Sequence, residues 1–390
     1  MIGADALAHS ARVRDHIAAK MQAAGGWLSF EQFMDLALYA PGLGYYSGGA
    51  QKLGATGDFT TAPEVSPLFG ACVARQCAEI LRVLNGGSIL EIGAGSGRLA
   101  ADILARLELL GQLPERYSIL EISADLRERQ RQYLEKRLPH LRQRLHWLDH
   151  PPEQPFEGII LANEVLDALP VARFRWHAAM TEEMGVGRTD GRFHWSARRA
   201  DGAMTQICRE LSAAGGGWED GYVSEYCPRV PAWIVAVTQA LRSGAVLWFD
   251  YGLPRAQYYL PERHDGTLLC HFRHQSSADP FANIGLQDIT AWVDFTRVAE
   301  ACSAAKVRGG ADLEVAGFTT QAHFLAALEI GKEMQLAAGG DDNLFARLAN
   351  QARQLMLPGE MGERFKAMAC VRGIDMPLSG FGLLDLRHTL

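Results

Sequence analysis

What is missing from this chain narrows it first. No apolar run approaches the ~18 residues that a helical membrane span requires, so none is expected. Positive charge is not in excess: 38 Lys and Arg stand against 45 Asp and Glu, a net charge of −7. A nucleic-acid partner, which calls for clustered basic residues, is therefore excluded. None of the seven cysteines stands at Cys-x-x-Cys spacing, so neither a zinc site nor a disulfide framework is signalled and no metal is expected. They read as buried apolar thiols in a reducing compartment. The first residues lack the apolar core of a secretory signal, and Asp5 and Asp15 do not suit an acid-poor transit peptide, so a cytoplasmic enzyme is expected. Internal repeats and low-complexity tracts are also missing. What remains is an ordinary globular composition, 48% hydrophobic and 21% charged, over 390 residues. That length implies a core domain with a substantial addition.

The most informative stretch is Ile89-Leu-Glu-Ile-Gly-Ala-Gly-Ser-Gly97, followed by a helix start at Arg98. It reads as a buried strand, a tight turn and a helix, with glycines removing the Cβ atoms that would keep a ligand away. A dinucleotide fingerprint, Gly-x-Gly-x-x-Gly, would place its third glycine where Arg98 stands. Here it is Gly97, and Glu91 lies two residues before Gly93. That arrangement resembles the first motif of the S-adenosylmethionine (SAM) methyltransferases, whose donor has no pyrophosphate and carries a cationic amino-acid end suited to a nearby carboxylate; the plain alternative is an ordinary glycine-rich strand-to-helix turn. Gly93, Ala94, Gly95 and Gly97 are the candidate turn contacts. About 26 residues beyond Gly95, the apolar run Tyr117–Leu120 ends at Glu121. The next strand tip of a βαβ unit falls there, where an acidic residue can accept ribose hydroxyls. Glu121 could also, compatibly with that role, favour the N-terminus of the helix beginning near Ser123. Ile122 follows as a further cofactor contact, and Asp149, after Leu145–Leu148, is the candidate for the adenine edge.

Along the chain, helical spacing covers residues 4–24 and Phe30–Leu38, then a long Gly- and Tyr-rich segment reaches Gly57. A further helix, Pro67–Leu84, precedes the glycine motif. From residue 88, strands (Ser88–Ile92, Tyr117–Glu121, Leu145–Leu148, Gly158–Ala162) alternate with helices (Arg98–Leu110, Ala124–Arg137). This pattern predicts an α/β fold, a mostly parallel twisted sheet with helices on both faces. The Gly158–Ala162 strand runs into Asn163-Glu164, which should face the reactive end of the cofactor. Residues 171–224 suggest an antiparallel insertion. A helix over Pro231–Leu241 and an apolar strand, Ala245–Phe249, ending at Asp250-Tyr-Gly come next, then helical pieces at Gln321–Ile330 and Asn343–Met356. The expected divisions are a helical and glycine-rich cap (1–86), the first part of a Rossmann-like core (87–178), the antiparallel insertion (179–224), core completion with active-site loops (225–300) and C-terminal helical and terminal core elements (301–390).

Several separated stretches resemble, in order, the MidA-type family of SAM-dependent methyltransferases. They are Gly57-Asp-Phe-Thr-Thr-Ala-Pro-Glu-Val-Ser66 with Phe69-Gly70, Glu91–Gly97, Asn163–Val171, Asp250–Gly252, Gly266-Thr-Leu268 with His274, Gln287–Phe295 and Met361–Lys366. The resemblance spans roughly residues 27–370 and implies a Rossmann-like methyltransferase fold using SAM, with S-adenosylhomocysteine as product. Mitochondrial members of that family methylate an arginine of a respiratory complex I subunit. The resemblance therefore implies a protein partner presenting an arginine, with such a subunit as a candidate, and a matrix location in a eukaryote. A homodimer is also possible. Trp292 departs from the pattern, where a smaller or polar residue, often His, is expected. The Gly57–Thr61 stretch reads as a lid, with Asp58, Thr61 and Glu64 as contacts, or as a packing loop.

An arginine nucleophile is difficult because its guanidinium stays protonated and delocalised. Carboxylates forking onto it would localise the positive charge and free a lone pair on the attacking nitrogen. Glu164 is the first candidate, with Asp288 and Asp294 next and Glu225 behind them; His274 could take a proton. Each has a plain alternative. Glu164 could bond a backbone turn, Asp288 could cap a helix, Asp294 could be a buried structural carboxylate, and His274 could be a surface residue. A small-molecule methyltransferase and a SAM-binding assembly factor without turnover are the competing functions.

Overall fold

Strands and helices alternating from residue 88 build the sheet that the sequence pattern demands. The computed structural model describes residues 3–48, 60–305 and 312–390. These fall into two units: Met1–Phe59, Asp167–Val230 and Leu253–Thr296 form one, and Thr60–Leu166, Pro231–Gly252 and Arg297–Leu390 form the other.

The second unit holds the sheet. Its strands are β1 (Ser88–Ile92), β2 (Tyr117–Leu120), β3 (Leu145–Leu148), β4 (Phe156–Asn163), β5 (Leu241–Leu253), β6 (Glu314–Thr320) and β7 (Phe365–Arg372). They lie in the order β6-β7-β5-β4-β1-β2-β3. Strands β1 to β5 pair in parallel, while β7 runs antiparallel to both β5 and β6. The chain winds outward from β1 to β3, then returns to place β4 on the other side of β1. Strand order therefore reverses between β1 and β4.

Helices α1 (Ala62–Val65), α2 (Pro67–Val83), α3 (Arg98–Leu109) and α4 (Ala124–Arg137) accompany this sheet. Helix α2 starts where Pro67 fixes the first turn and the Ser66 hydroxyl accepts the Leu68 N–H at 3.3 Å. Helices α2 and α3 cross closely, because a Cβ on Gly70 would lie 2.6 Å from Asp102 Cβ. The core joins Phe69, Ile103 and Leu104 to Ile159, Leu161, Phe249 and Phe324. Fully burying each such side chain contributes about 2 kcal/mol.

The strands of the other unit pair antiparallel. Glu182–Thr189 pairs with Leu28–Ser29, Ala172–Arg175 and Arg192–Arg199, and Val223–Tyr226 pairs with Ala172–Arg175. A three-stranded sheet has Leu269–Phe272 between Gln275–Ser277 and Asp288–Thr290. Helices Ala4–Ala23 and Phe30–Tyr39 bury Val13, Ile17, Phe30, Phe33 and Met34 against Val186, Phe193 and Ile289.

Two differences from the sequence reading stand out. Residues 60–86, grouped with the N-terminal cap, belong to the sheet unit, because α2 packs its buried face on α3 and the strands. The C-terminal region supplies two strands beside its helices. Strand β7, Phe-Lys-Ala-Met-Ala-Cys-Val-Arg, is buried along most of its length and shows no alternation.

Candidate active site

The reversal of strand order marks the place where an open α/β sheet binds ligands, outside the carboxyl ends of its strands. Ile92 lies beside Ala162 in the β1–β4 register, so Gly93 and Asn163 leave the sheet side by side. The turn after β1 takes φ of +65° at Gly93, +54° at Gly95 and +83° at Gly97. Side chains rarely adopt these values, and a Cβ on Gly93 would come within 3.3 Å of Val165 Cγ2. Gly93 is exposed at the turn while Ala94 is buried beneath it.

Glu91 lies under this turn. It is 2% exposed, and the Tyr117 hydroxyl donates to its Oε2 at 2.8 Å. Burial pushes its pKa up to about 7, with the charge of Glu121 adding to the rise. Glu121 sits one residue past β2, its N–H bonded to the Leu148 carbonyl at 3.0 Å. The Ser123 N–H donates to its Oε1 at 2.9 Å and Gln130 Nε2 to its Oε2 at 3.2 Å. Burial raises its pKa, opposed by the Ser123 and Gln130 bonds that favour the ionised form. Ser123 also caps α4, its hydroxyl accepting the Leu126 N–H at 3.4 Å. The strand-tip and helix-start readings of Glu121 thus coincide. Ile122 is 59% exposed, an open apolar side chain beside this carboxylate. Asp149, past β3, is exposed and has Arg127 at 3.9 Å and His150 at 3.6 Å.

On the other side of the crevice, the chain after β4 is sharply bent. Glu164 has φ +53°, a left-handed conformation unusual for this residue type. Three bonds to β5 hold the bend. The Glu164 N–H donates to the Phe249 carbonyl at 2.8 Å, and the Val165 and Leu166 N–H groups donate to Asp250 Oδ2 at 3.2 and 2.9 Å. Glu164 Oε1 accepts from the Ala62 N–H at 3.4 Å and from Asn163 Nδ2 at 3.2 Å. Asn163 Oδ1 is buried and is bonded to no described residue. Such a buried acceptor has room for a donor beyond the described residues.

The Pro63-Glu64 segment reaches the same turn. The Ser96 hydroxyl donates to Glu64 Oε1, and Arg98 Nε lies 3.2 Å from Glu64 Oε2. Thr61 precedes α1, its carbonyl accepting the Glu64 N–H at 2.9 Å. Asp58 lies outside the described residues.

Four candidates lie in the antiparallel unit. Asp288 is 1% exposed, and the Tyr46 hydroxyl meets both its oxygens, at 2.9 and 2.8 Å. Asp294 pairs with Arg255 at 3.2 Å. Glu225 is fully buried: its Oε1 accepts from Tyr258 (3.0 Å), the Thr267 N–H (2.6 Å) and the Thr267 hydroxyl (2.8 Å), with Arg173 3.9 Å from Oε2. His274 is exposed at a hairpin turn, with φ +61° after Arg273 at +50°.

A family profile described as "Putative S-adenosyl-L-methionine-dependent methyltransferase" matches residues 72–310. The chain belongs to this family. A protein from Burkholderia thailandensis solved with S-adenosyl-homocysteine bound is 40% identical, superposes with a TM-score of 0.93, and is matched over 100% of this chain and 99% of its own. A second structure from that organism, without the ligand in its description, superposes with a TM-score of 0.90. The mitochondrial protein arginine methyltransferase NDUFAF7 of Danio rerio is 28% identical over 95% of this chain and 92% of its own length. Its counterpart from Bos taurus is 26% identical over 91% and 82%. The methyltransferase uses SAM as donor, as the MidA-type resemblance implied. The glycine turn, the Glu121 carboxylate and the orphaned Asn163 oxygen fit such a donor, which carries hydroxyl and ammonium groups.

Sequence reasoning missed three side chains that organise these places. Gln130 lies in a helix with only two buried residues, so no apolar stripe marks it. Asp250 carries no signal beyond its place in the Asp-Tyr-Gly motif, and Tyr46 lies in the Gly- and Tyr-rich segment, which has no periodicity to mark it. Among the described residues, no helix is long and apolar enough to cross a membrane, and no group of three or more His, Cys, Asp or Glu could hold a metal ion.

Proposed function

We propose that this methyltransferase acts on an arginine of a partner protein, with a subunit of a respiratory complex I-type assembly as first candidate. The observation that carries this reading is the match, over nearly their whole lengths, to relatives named protein arginine methyltransferase. A carboxylate at the crevice and a net charge of −7 support it, since both suit a cationic side chain. The proposed setting is the mitochondrial matrix of a eukaryote or the cytoplasm of a bacterium.

SAM supplies an electrophilic methyl group on a sulfonium, and the protein need only align the acceptor and manage charge. In the proposed arrangement the Gly93–Gly97 turn admits the donor closely. Glu121 accepts its ribose hydroxyls, with Ile122 and Asp149 toward the adenine. Asn163 Oδ1 accepts a donor N–H, and Glu64 and Thr61 close over the turn. Glu91 supports the turn from below. Glu164 takes the substrate guanidinium, holding positive charge on two nitrogens so that the third keeps its lone pair. That nitrogen forms the new C–N bond as the C–S bond breaks, S-adenosylhomocysteine leaves with the C–S electron pair, and the nitrogen's proton passes to solvent water. Asp288, in the antiparallel unit, is held there by Tyr46. Asp294 and Glu225 anchor loops through Arg255, Tyr258 and Thr267, and His274 is a surface turn residue.

The test is incubation of the protein with labelled SAM and an extract of its native cells, followed by mass spectrometry of methyl sites. Label on an arginine of a recovered partner, lost in Glu164→Gln, is expected. Label confined to metabolites, or arginine methylation undiminished in Glu164→Gln, would overturn the reading.

A further inference from the structure

Gln130 stands at the centre of the proposed donor site and touches all three strand ends on its ribose side. Its side chain is fully buried. Its Nε2 donates to the Gly95 carbonyl at 3.0 Å and to Glu121 Oε2 at 3.2 Å, and its Oε1 accepts from Trp147 Nε1 at 3.1 Å. These partners belong to the turn after β1, the tip of β2, and β3.

The orientation of this amide is not arbitrary. An indole N–H only donates, whereas a backbone carbonyl and an ionised carboxylate only accept. Trp147 must therefore face the amide oxygen, and both amide hydrogens must face Gly95 and Glu121. Turning the amide over would set its NH2 group against the indole N–H and its oxygen against two acceptors. Trp147 is itself held, with the Arg131 guanidinium 5.0 Å from its ring centroid.

We infer that Gln130, polarised by Trp147, is a positioning residue for the methyl donor: it fixes the Glu121 carboxylate for the ribose hydroxyls and ties it to the glycine turn. This rests on the reading of Glu121 as the ribose acceptor. A buried carboxylate with fewer donors would rotate or take up a proton, and in either state it would accept ribose hydroxyls poorly. Gln130 touches no reacting atom in this account, so its loss should fall on donor binding and spare the transfer step.

The experiment measures S-adenosylhomocysteine binding by calorimetry, together with the KM for SAM and kcat, in the full-length protein. Gln130→Met keeps the length and burial of the side chain but removes all three bonds; Trp147→Phe keeps the ring but removes the donor that orients the amide. Gln130→Met should weaken S-adenosylhomocysteine binding about tenfold and raise the KM for SAM similarly, with kcat at saturating donor within about twofold. Trp147→Phe should weaken binding about threefold. An analogue lacking both ribose hydroxyls separates positioning from general disturbance of the site. Wild type and Gln130→Met should bind that analogue with equal affinity. An equal loss with both ligands, an unchanged affinity in Gln130→Met, or wild-type binding in Trp147→Phe would overturn the inference. Glu121→Gln serves as the reference. If it binds S-adenosylhomocysteine as wild type does, the ribose reading falls and this inference with it. If it binds weakly while Gln130→Met does not, only the role of Gln130 falls.

Discussion

Asp250 Oδ2 accepts the backbone N–H of Leu166 at 2.9 Å, and the same oxygen takes the N–H of Val165. A side chain at the end of β5 thereby fixes the bend that follows β4 and holds Glu164 in its left-handed conformation. Asp250→Asn preserves shape but can turn an amide hydrogen toward those donors. We expect methyl transfer to fall at least about tenfold and stability to drop by about 2 kcal/mol. Steady-state kinetics and urea unfolding check this; full activity would show that the bend holds without the carboxylate.

Glu91 makes stability depend on pH. Its folded pKa is raised to about 7 from an ordinary 4.5. Between those values the folded chain keeps a proton that the unfolded chain releases, so this contribution is complete below about pH 4.5 and is lost as pH rises toward 7. The full loss is on the order of 3 kcal/mol. Glu91→Gln should remove that slope, so its unfolding midpoint relative to wild type should rise between pH 5 and pH 8. Parallel curves for the two proteins would contradict the assignment.

Glu333 is 3% exposed, with Arg106 Nε 2.8 Å from one oxygen and Arg75 3.2 Å from the other. Replacing it by Ala strands the Arg106 guanidinium, itself only 16% exposed, without its partner. A loss of about 3 kcal/mol is expected. Because this pairing lies between helices rather than at strand tips, S-adenosylhomocysteine affinity at low temperature should not change.

Tyr46→Phe removes the hydroxyl that meets both oxygens of Asp288. A buried carboxylate losing such a donor costs about 2 kcal/mol, readable as a lower urea midpoint.

The parts of this chain legible beforehand are those governed by local rules. The boundaries of α4 and β3 were read as observed, because a serine cap, a basic last turn and a short apolar run are local signals. The glycine turn was legible because positive φ leaves a compositional mark. The two C-terminal strands were not, because β7 lies inside the sheet and Ala, Met and Cys carry little strand signal. At the candidate site the strand-tip positions of Glu121, Asn163 and Glu164 followed from the strand ends. The tethers on them, Gln130 and Asp250, did not. Each is defined by a partner far along the chain, and a single buried polar residue leaves no period to detect.

The place of β7 has a consequence for how the chain is made. In the sheet, β6 is joined to β5 only through β7, yet residues 314–320 leave the ribosome well before residues 365–372. A growing chain therefore carries β6 as an unpaired ribbon beside an open sheet edge, and both wait for the final strand to slide between them. Nascent chains stopped just short of residue 365 should therefore expose an unpaired sheet edge and aggregate more readily than chains that include residues 365–372.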